Sequence, residues 1–182
     1  MSARHILTVV VVASIAAVST VHAQKSAVKS KIASQMRYSM VDELLKPWYP
    51  KAIDTAAGGF LSAFTYDFKP TGNQDKMIVT QARHVWSNSK AAELFPNVPY
   101  YIAGAKHGYE FLRDKMWDKE YGGFYTFTDR DGNPKSGSFA PKEAYGNSFA
   151  IYALAAYYQA SGDTAALNLA KKRFPLVRET QS

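Results

Sequence analysis

Among side chains able to do chemistry, Arg83 has the most suggestive setting, the run Gln81-Ala82-Arg83-His84-Val85-Trp86. A guanidinium stays charged at any working pH and offers a fork of donors, so it suits a developing oxyanion. On a helix it shares a face with Val79 and Trp86, which turns it inward. By position alone the competing role is a structural arginine paired with a carboxylate. Beyond the amino-terminal leader the sequence offers two histidines, His84 and His107. His84 points about 100° away from Arg83 around a helix, and both histidines read as structural. Asp129-x-Asp131-Gly132-Asn133 opens like a calcium loop. Its twelfth position, however, is Ala140 rather than a bidentate glutamate, so it reads as a turn. Glu110, Asp118 and Glu120 could be proposed as a glycosidase pair, but their spacing gives no warrant for it. The absence of cysteine excludes disulfides, thiolate nucleophiles and zinc–thiolate sites.

Helices must position these residues. Met36, Met40, Val41, Leu44 and Leu45 recur at helical spacing, and Pro47 should end that segment. A second helix is expected from Lys76 to Ser89, burying Val79, Ala82, Val85 and Trp86. A third runs from Tyr100 to Met116, with Ile102, Ala105, Tyr109, Leu112 and Met116 as its stripe. The fourth, Glu143 to Ala160, is apolar nearly all round and should be covered on every side. A fifth starts at Asp163 as N-cap and should stop at Pro175. Between the helices, 58–73 and 122–134 carry aromatic and threonine runs closed by Gly, Asn and Pro, the mark of hairpins.

Those two blocks are copies. Each has a Trp (Trp48, Trp117), an Asp (Asp54, Asp118), Gly-Gly-Phe, a hairpin, and a Lys opening a helix (Lys76, Lys142). Gly58 and Gly122 lie 64 residues apart. Counting from the two lysines, Gln81 matches Asn147, Val85 matches Ile151 and Trp86 matches Tyr152. A fixed period signals stacked units that bury their faces against one another.

The chain has 182 residues and a formal charge of +7. Its basic residues are scattered, apart from Lys25, Lys29 and Lys31 and the run Lys171-Lys172-Arg173, and no nucleic-acid motif accompanies them. They read as solvated helix ends, so no nucleic-acid partner is expected. Residues 1–23 carry one charge, Arg4, then an apolar run from Ile6 to Val21, then Val21-His22-Ala23. The run is short against the roughly 20 residues of a membrane span, so it reads as a signal peptide cleaved after Ala23. The expected destination is the periplasm or the exterior, with no stable membrane association after cleavage. The expected organisation is a leader over 1–23, a linker over 24–34, a helical domain over 35–176 and a tail over 177–182.

Trp48, Gly58-Gly59-Phe60, Lys76, Gln81 to Trp86, Gly108-Tyr109-Glu110-Phe111-Leu112, Trp117-Asp118, Tyr121-Gly122-Gly123-Phe124 and Lys142-x-x-Tyr145-Gly146-Asn147-Ser148-Phe149-Ala150-Ile151-Tyr152-Ala153-Leu154 together resemble the N-acylglucosamine 2-epimerase family, which includes cellobiose and mannobiose 2-epimerases. The match runs from Asp42 to Phe174. The resemblance implies an all-α fold, part of an (α/α)6 barrel with short β-hairpins between helices. It implies carbon-2 epimerisation of an N-acylhexosamine or a cellobiose- or mannobiose-like reducing sugar: one histidine removes the proton beside the carbonyl and a second returns it through an enediolate. Arg83 matches the family arginine beside that intermediate. Tyr145 matches a tyrosine near the substrate, Trp86 could wall the same pocket, and Asn147, a further expected substrate contact, stands where many members have Gln, an amide one methylene longer. No cofactor or metal is implied; the partners are a small carbohydrate and, as is common in the family, a second copy. Five expected helices make an incomplete ring, and Val177 to Ser182 stop resembling the family, so a truncated product lacking the two catalytic histidines is expected. Two other readings stand beside this one: a hydrolase or lyase on a related barrel, and a non-catalytic carbohydrate-binding fragment.

Overall fold

The computed structural model describes residues 24–137 and 142–179, with side chains as far as residue 172. The expected leader and half of the expected tail, residues 180–182, therefore lie outside the described residues. The chain divides into two compact units, Met1–Pro47 and Trp48–Ser182.

In the first unit the backbone is helical from residue 24 (α1, residues 24–48). The stretch expected to be a linker is thus a helix, exposed along its whole length and rich in Lys and Ser. The expected buried stripe does not form. Leu45 is buried, but Met36 is 68% exposed and Leu44 is exposed. Ser39–Leu45 adopts π geometry, whose extra residue per turn rotates a 3.6-spaced stripe out of line. The helix stops at Trp48, one residue past Pro47, so the expected stop stands within the one or two residues by which a helix end is defined.

The second unit alternates loops and long helices: α2 (Ile78–Leu94), α3 (Pro99–Phe111, continued in π geometry over Leu112–Met116), α4 (Ala144–Ser161) and α5 (Thr164–Glu179). The helix α2 packs on both α3 and α4, and α4 packs on α5. Phe60, Ile78, Val85, Tyr101, Tyr109, Leu112, Met116, Phe124 and Leu154 are fully buried in its core. Each large apolar side chain so buried contributes about 1.5–3 kcal/mol. Asp163 caps α5 as expected, its Oδ1 accepting the Ala165 N–H at 2.9 Å. Gly162, at φ 74°, ends α4 in the left-handed conformation that glycine adopts most readily.

Two sequence expectations are corrected here, while the two expected hairpins do form, in short versions. Each is closed by one bridge (Phe64 with Pro70, Thr128 with Pro134) and continues past its proline, with the Thr71 N–H donating to the Ala63 carbonyl and the Lys135 N–H to the Phe127 carbonyl. The strands that do form, β1 (Lys76–Met77) and β2 (Phe127–Thr128), pair antiparallel between consecutive repeats, Lys76 opposite Thr128. Helix α5 runs through Pro175 to Glu179; a proline this near a helix end removes one backbone bond and leaves few residues beyond it. Finally, α4 is not covered on every side: Tyr145 is 58% exposed and Tyr152 is 54% exposed. Among the described residues α2, α3 and α5 pack against it, and one flank stays open.

Candidate active site

The two repeats are fastened by the same lock. Asp54 accepts the N–H groups of Ala56 and Ala57 with Oδ1, and Asp118 accepts those of Glu120 and Tyr121 in the same way. Lys76 reaches back to Asp54 Oδ2 at 3.1 Å and to the Gly58 carbonyl; Lys142 reaches Asp118 Oδ2 and, at 2.7 Å, the Gly122 carbonyl. Both glycine pairs sit at positive φ, Gly59 at 65° and Gly123 at 80°. A Cβ on Gly59 would lie 2.6 Å from Gln81 Oε1 and 2.8 Å from the Phe111 ring, so only glycine fits. Gln81 then clamps Phe60, taking its N–H and donating to its carbonyl, both at 2.8 Å. Asn147 does the same to Phe124 at 2.7 and 3.3 Å, and also donates to the Glu143 carbonyl.

These locks fix where α2 and α4 begin, and Gly146 sets how closely the helices approach. A Cβ there would fall 2.5 Å from Ile78 Cγ2. Val85 and Asn88 face α3, where Cβ atoms on Gly108 and Gly104 would strike them. Arg83, two residues before Val85, leaves α2 about 160° round the axis from it. Expected to turn inward with Val79 and Trp86, it is instead exposed, and its Cζ lies 5.0 Å from the centroid of the Phe149 ring on α4. Phe149 in turn meets Tyr145 edge-on at 5.1 Å. One turn further along, Trp86 stacks on Tyr152 at 5.4 Å and 19°. The Trp86 Nε1–H is covered and finds no acceptor. The open flank is therefore a guanidinium framed by four aromatic rings.

Arg83 differs from the other arginines of this unit whose side chains are described. Arg113 pairs with Asp114, and Arg130 pairs with Asp54 through two hydrogen bonds. Among the described residues no carboxylate lies within salt-bridge distance of Arg83. Nothing among the described residues, then, takes up the donor fork of Arg83.

Structure brings Arg83, Trp86 and Tyr145 to one flank and sets Asn147 apart. Asn147 is fully buried with both ends of its amide engaged on backbone, so the expected sugar contact gives way to a structural clamp. Phe149 and Tyr152 belong to the flank but read from sequence as core. Their spacing with Tyr145, at i, i+4 and i+7, is the signal that marks them as one face.

The histidines are committed elsewhere. Burial holds the His84 pKa down at about 4, while its Nδ1 shares a 2.7 Å hydrogen bond with the Tyr49 hydroxyl and its ring stacks on Phe60. His107 Nε2 lies 3.0 Å from the Gly59 carbonyl. Asp118 is no glycosidase acid. Burial pushes its carboxyl up, but Lys142 and two backbone N–H groups outweigh that and bring the pKa down to about 2. The Asp129 turn closes on Asn133 through its own carboxylate. Among the described residues no cluster of His, Asp or Glu could hold a metal.

Comparison with known proteins agrees with this architecture. The family model for N-acylglucosamine 2-epimerase matches residues 58–181. A cellobiose 2-epimerase of Ruminococcus albus is 36% identical over 147 residues, covering 78% of this chain and 35% of that protein. The solved cellobiose 2-epimerase of Spirochaeta thermophila superposes with a TM-score of 0.74 at 36% identity, over 82% of this chain and 36% of that one. A sugar epimerase from a ruminal bacterium gives 0.71 at 35% identity, over 79% and 36%. The chain thus spans about a third of the length of the curated relatives it matches. Its alternating helices are part of an (α/α)6 toroid, and the chain belongs to the N-acylglucosamine 2-epimerase family.

Proposed function

We propose that this protein takes part in carbon-2 epimerisation of a reducing sugar, with Arg83 beside the oxygen that becomes negative. The substrate class is a β-linked disaccharide such as cellobiose or mannobiose, or an N-acylhexosamine. Removing the proton next to the open-chain carbonyl moves charge onto its oxygen, and a fixed cation there lowers the barrier. The observation that supports this is the unspent Arg83 guanidinium within a frame of aromatic rings, since such rings also suit the apolar faces of sugars. Tyr145 and Trp86 form the walls. His84 and His107 are engaged in the core, so proton transfer falls to groups outside this pair. The apolar leader supports export to the periplasm or the exterior.

That same commitment of both histidines favours a second reading, carbohydrate binding without turnover. Incubation with cellobiose or N-acetylglucosamine in D2O separates the two. Epimerisation exchanges the carbon-2 proton and Arg83→Ala lowers that exchange by about 10²–10³-fold, as for loss of an oxyanion donor. Saturation transfer from the protein to the sugar without exchange selects the binding reading. If neither sugar binds or exchanges, or Arg83→Ala changes nothing, both fail.

A further inference from the structure

Arg83 and Phe149 stand 66 residues apart, the interval separating Gln81 from Asn147. They are the same position of two successive repeats, cation in one and ring in the next, and the Arg83 Cζ lies over the Phe149 ring, 5.0 Å from its centroid. We propose that Phe149 is the positioning residue for Arg83, fixing the plane of the guanidinium so that its donor edge points into the open flank. This rests on Arg83 being the oxyanion-stabilising group.

A long exposed side chain such as Arg83 holds one orientation only if something anchors it. Arg113 and Arg130 are anchored by carboxylates, which take up donors and neutralise charge. A carboxylate beside Arg83 would compete with the developing oxyanion. A ring beneath the guanidinium supplies attraction through its quadrupole and consumes no N–H. Phe149 is itself held, half-buried, against the edge of Tyr145. Its helix sits close to α2 because Gly146 admits Ile78. Ring and cation are thus presented to each other by backbone that cannot easily drift.

Nuclear magnetic resonance of the Arg83 guanidinium in the intact chain tests this without substrate. Phe149→Leu and the longer Phe149→Met remove the ring, and Phe149→Tyr keeps it. The expected result is loss of the ring-current shift and faster rotation about Nε–Cζ in the first two, and retention of both in the third, with thermal melts showing which variants fold. Unchanged Arg83 signals in a folded ring-less variant would overturn the proposal. In carbon-2 exchange on cellobiose, the ring-less variants should lower kcat about tenfold with KM little moved, because misplacing a catalytic group costs rate before binding. Tyrosine should restore it. A ring-less variant with altered Arg83 signals and full kcat would equally defeat the positioning role. Should the wild-type chain exchange nothing, the epimerase reading fails, and the guanidinium signals still decide whether Phe149 orients Arg83.

Discussion

Gln81 and Asn147 perform one act in two repeats: each turns its side-chain amide onto the backbone of the phenylalanine that ends its Gly-Gly-Phe loop. The amides differ by a methylene. Gln81 makes two bonds of 2.8 Å, whereas the shorter Asn147 reaches Phe124 O only at 3.3 Å and adds a bond to its own helix at Glu143. Replacing Gln81 by Leu should orphan two buried backbone groups at about 1–3 kcal/mol each. Asn147→Leu should cost less. Urea denaturation measures both, and equal losses would contradict the difference in geometry.

Much of this was legible in the sequence. The period from Asp54 to Asp118 and from Lys76 to Lys142 marked the two blocks as copies, but that each acid pairs with its lysine emerged only with the structure. What escaped was which face of α4 lies open. Phe149 and Tyr152 have the composition of core residues, and periodicity cannot say whether a neighbouring helix exists to cover them. Asn147 reads as a substrate contact from the family resemblance alone, and its backbone partner, 23 residues earlier in Phe124, shows the amide to be a clamp.

Asp54 and Asp118 should respond differently to removal. The Asp54–Lys76 pair is essentially inaccessible to solvent, while Lys142 keeps 23% of its side chain exposed. Burial holds the Lys76 pKa below its ordinary value even with Asp54 beside it. Asp54→Ala would strand that cation, at about 3–5 kcal/mol, and would also free Arg130. Asp118→Ala leaves a lysine able to turn to water. The double change Asp54→Ala, Lys76→Met should recover part of the loss. A denaturation midpoint no higher in the double variant than in Asp54→Ala would refute the stranded-charge account.

Stability should fall on mild acidification through His84. Its pKa is about 4 in the fold against an ordinary 6.5, so the unfolded chain binds a proton first as pH drops. Stability from this group is complete above pH 6.5, declines between 6.5 and 4, and levels off below, a span of about 3 kcal/mol. Asp54 and Asp118 carry folded pKa values below the ordinary carboxylate range. Their contribution is present above pH 4 and is lost only at still lower pH. The free energy of unfolding against pH should therefore descend in two stages. His84→Gln should flatten the upper stage and leave the lower one; a variant that keeps the upper descent would assign it to another group.

Gly146→Ala joins packing to the site. The added methyl would sit 2.5 Å from Ile78 Cγ2, and Ile78 is fully buried at the first turn of α2, so it has little room to yield. Overpacking of this kind costs about 1–3 kcal/mol. Relief comes most readily by parting the starts of α2 and α4, which also separates Arg83 from Phe149 a turn further on. The expected outcome is a lower denaturation midpoint together with Arg83 guanidinium signals shifted toward those of the ring-less Phe149 variants. Ile78→Val in the same background returns volume at the point of contact and should recover both. Recovery of stability without recovery of the Arg83 signals would mean that the repeat locks, rather than this glycine, hold ring and cation together.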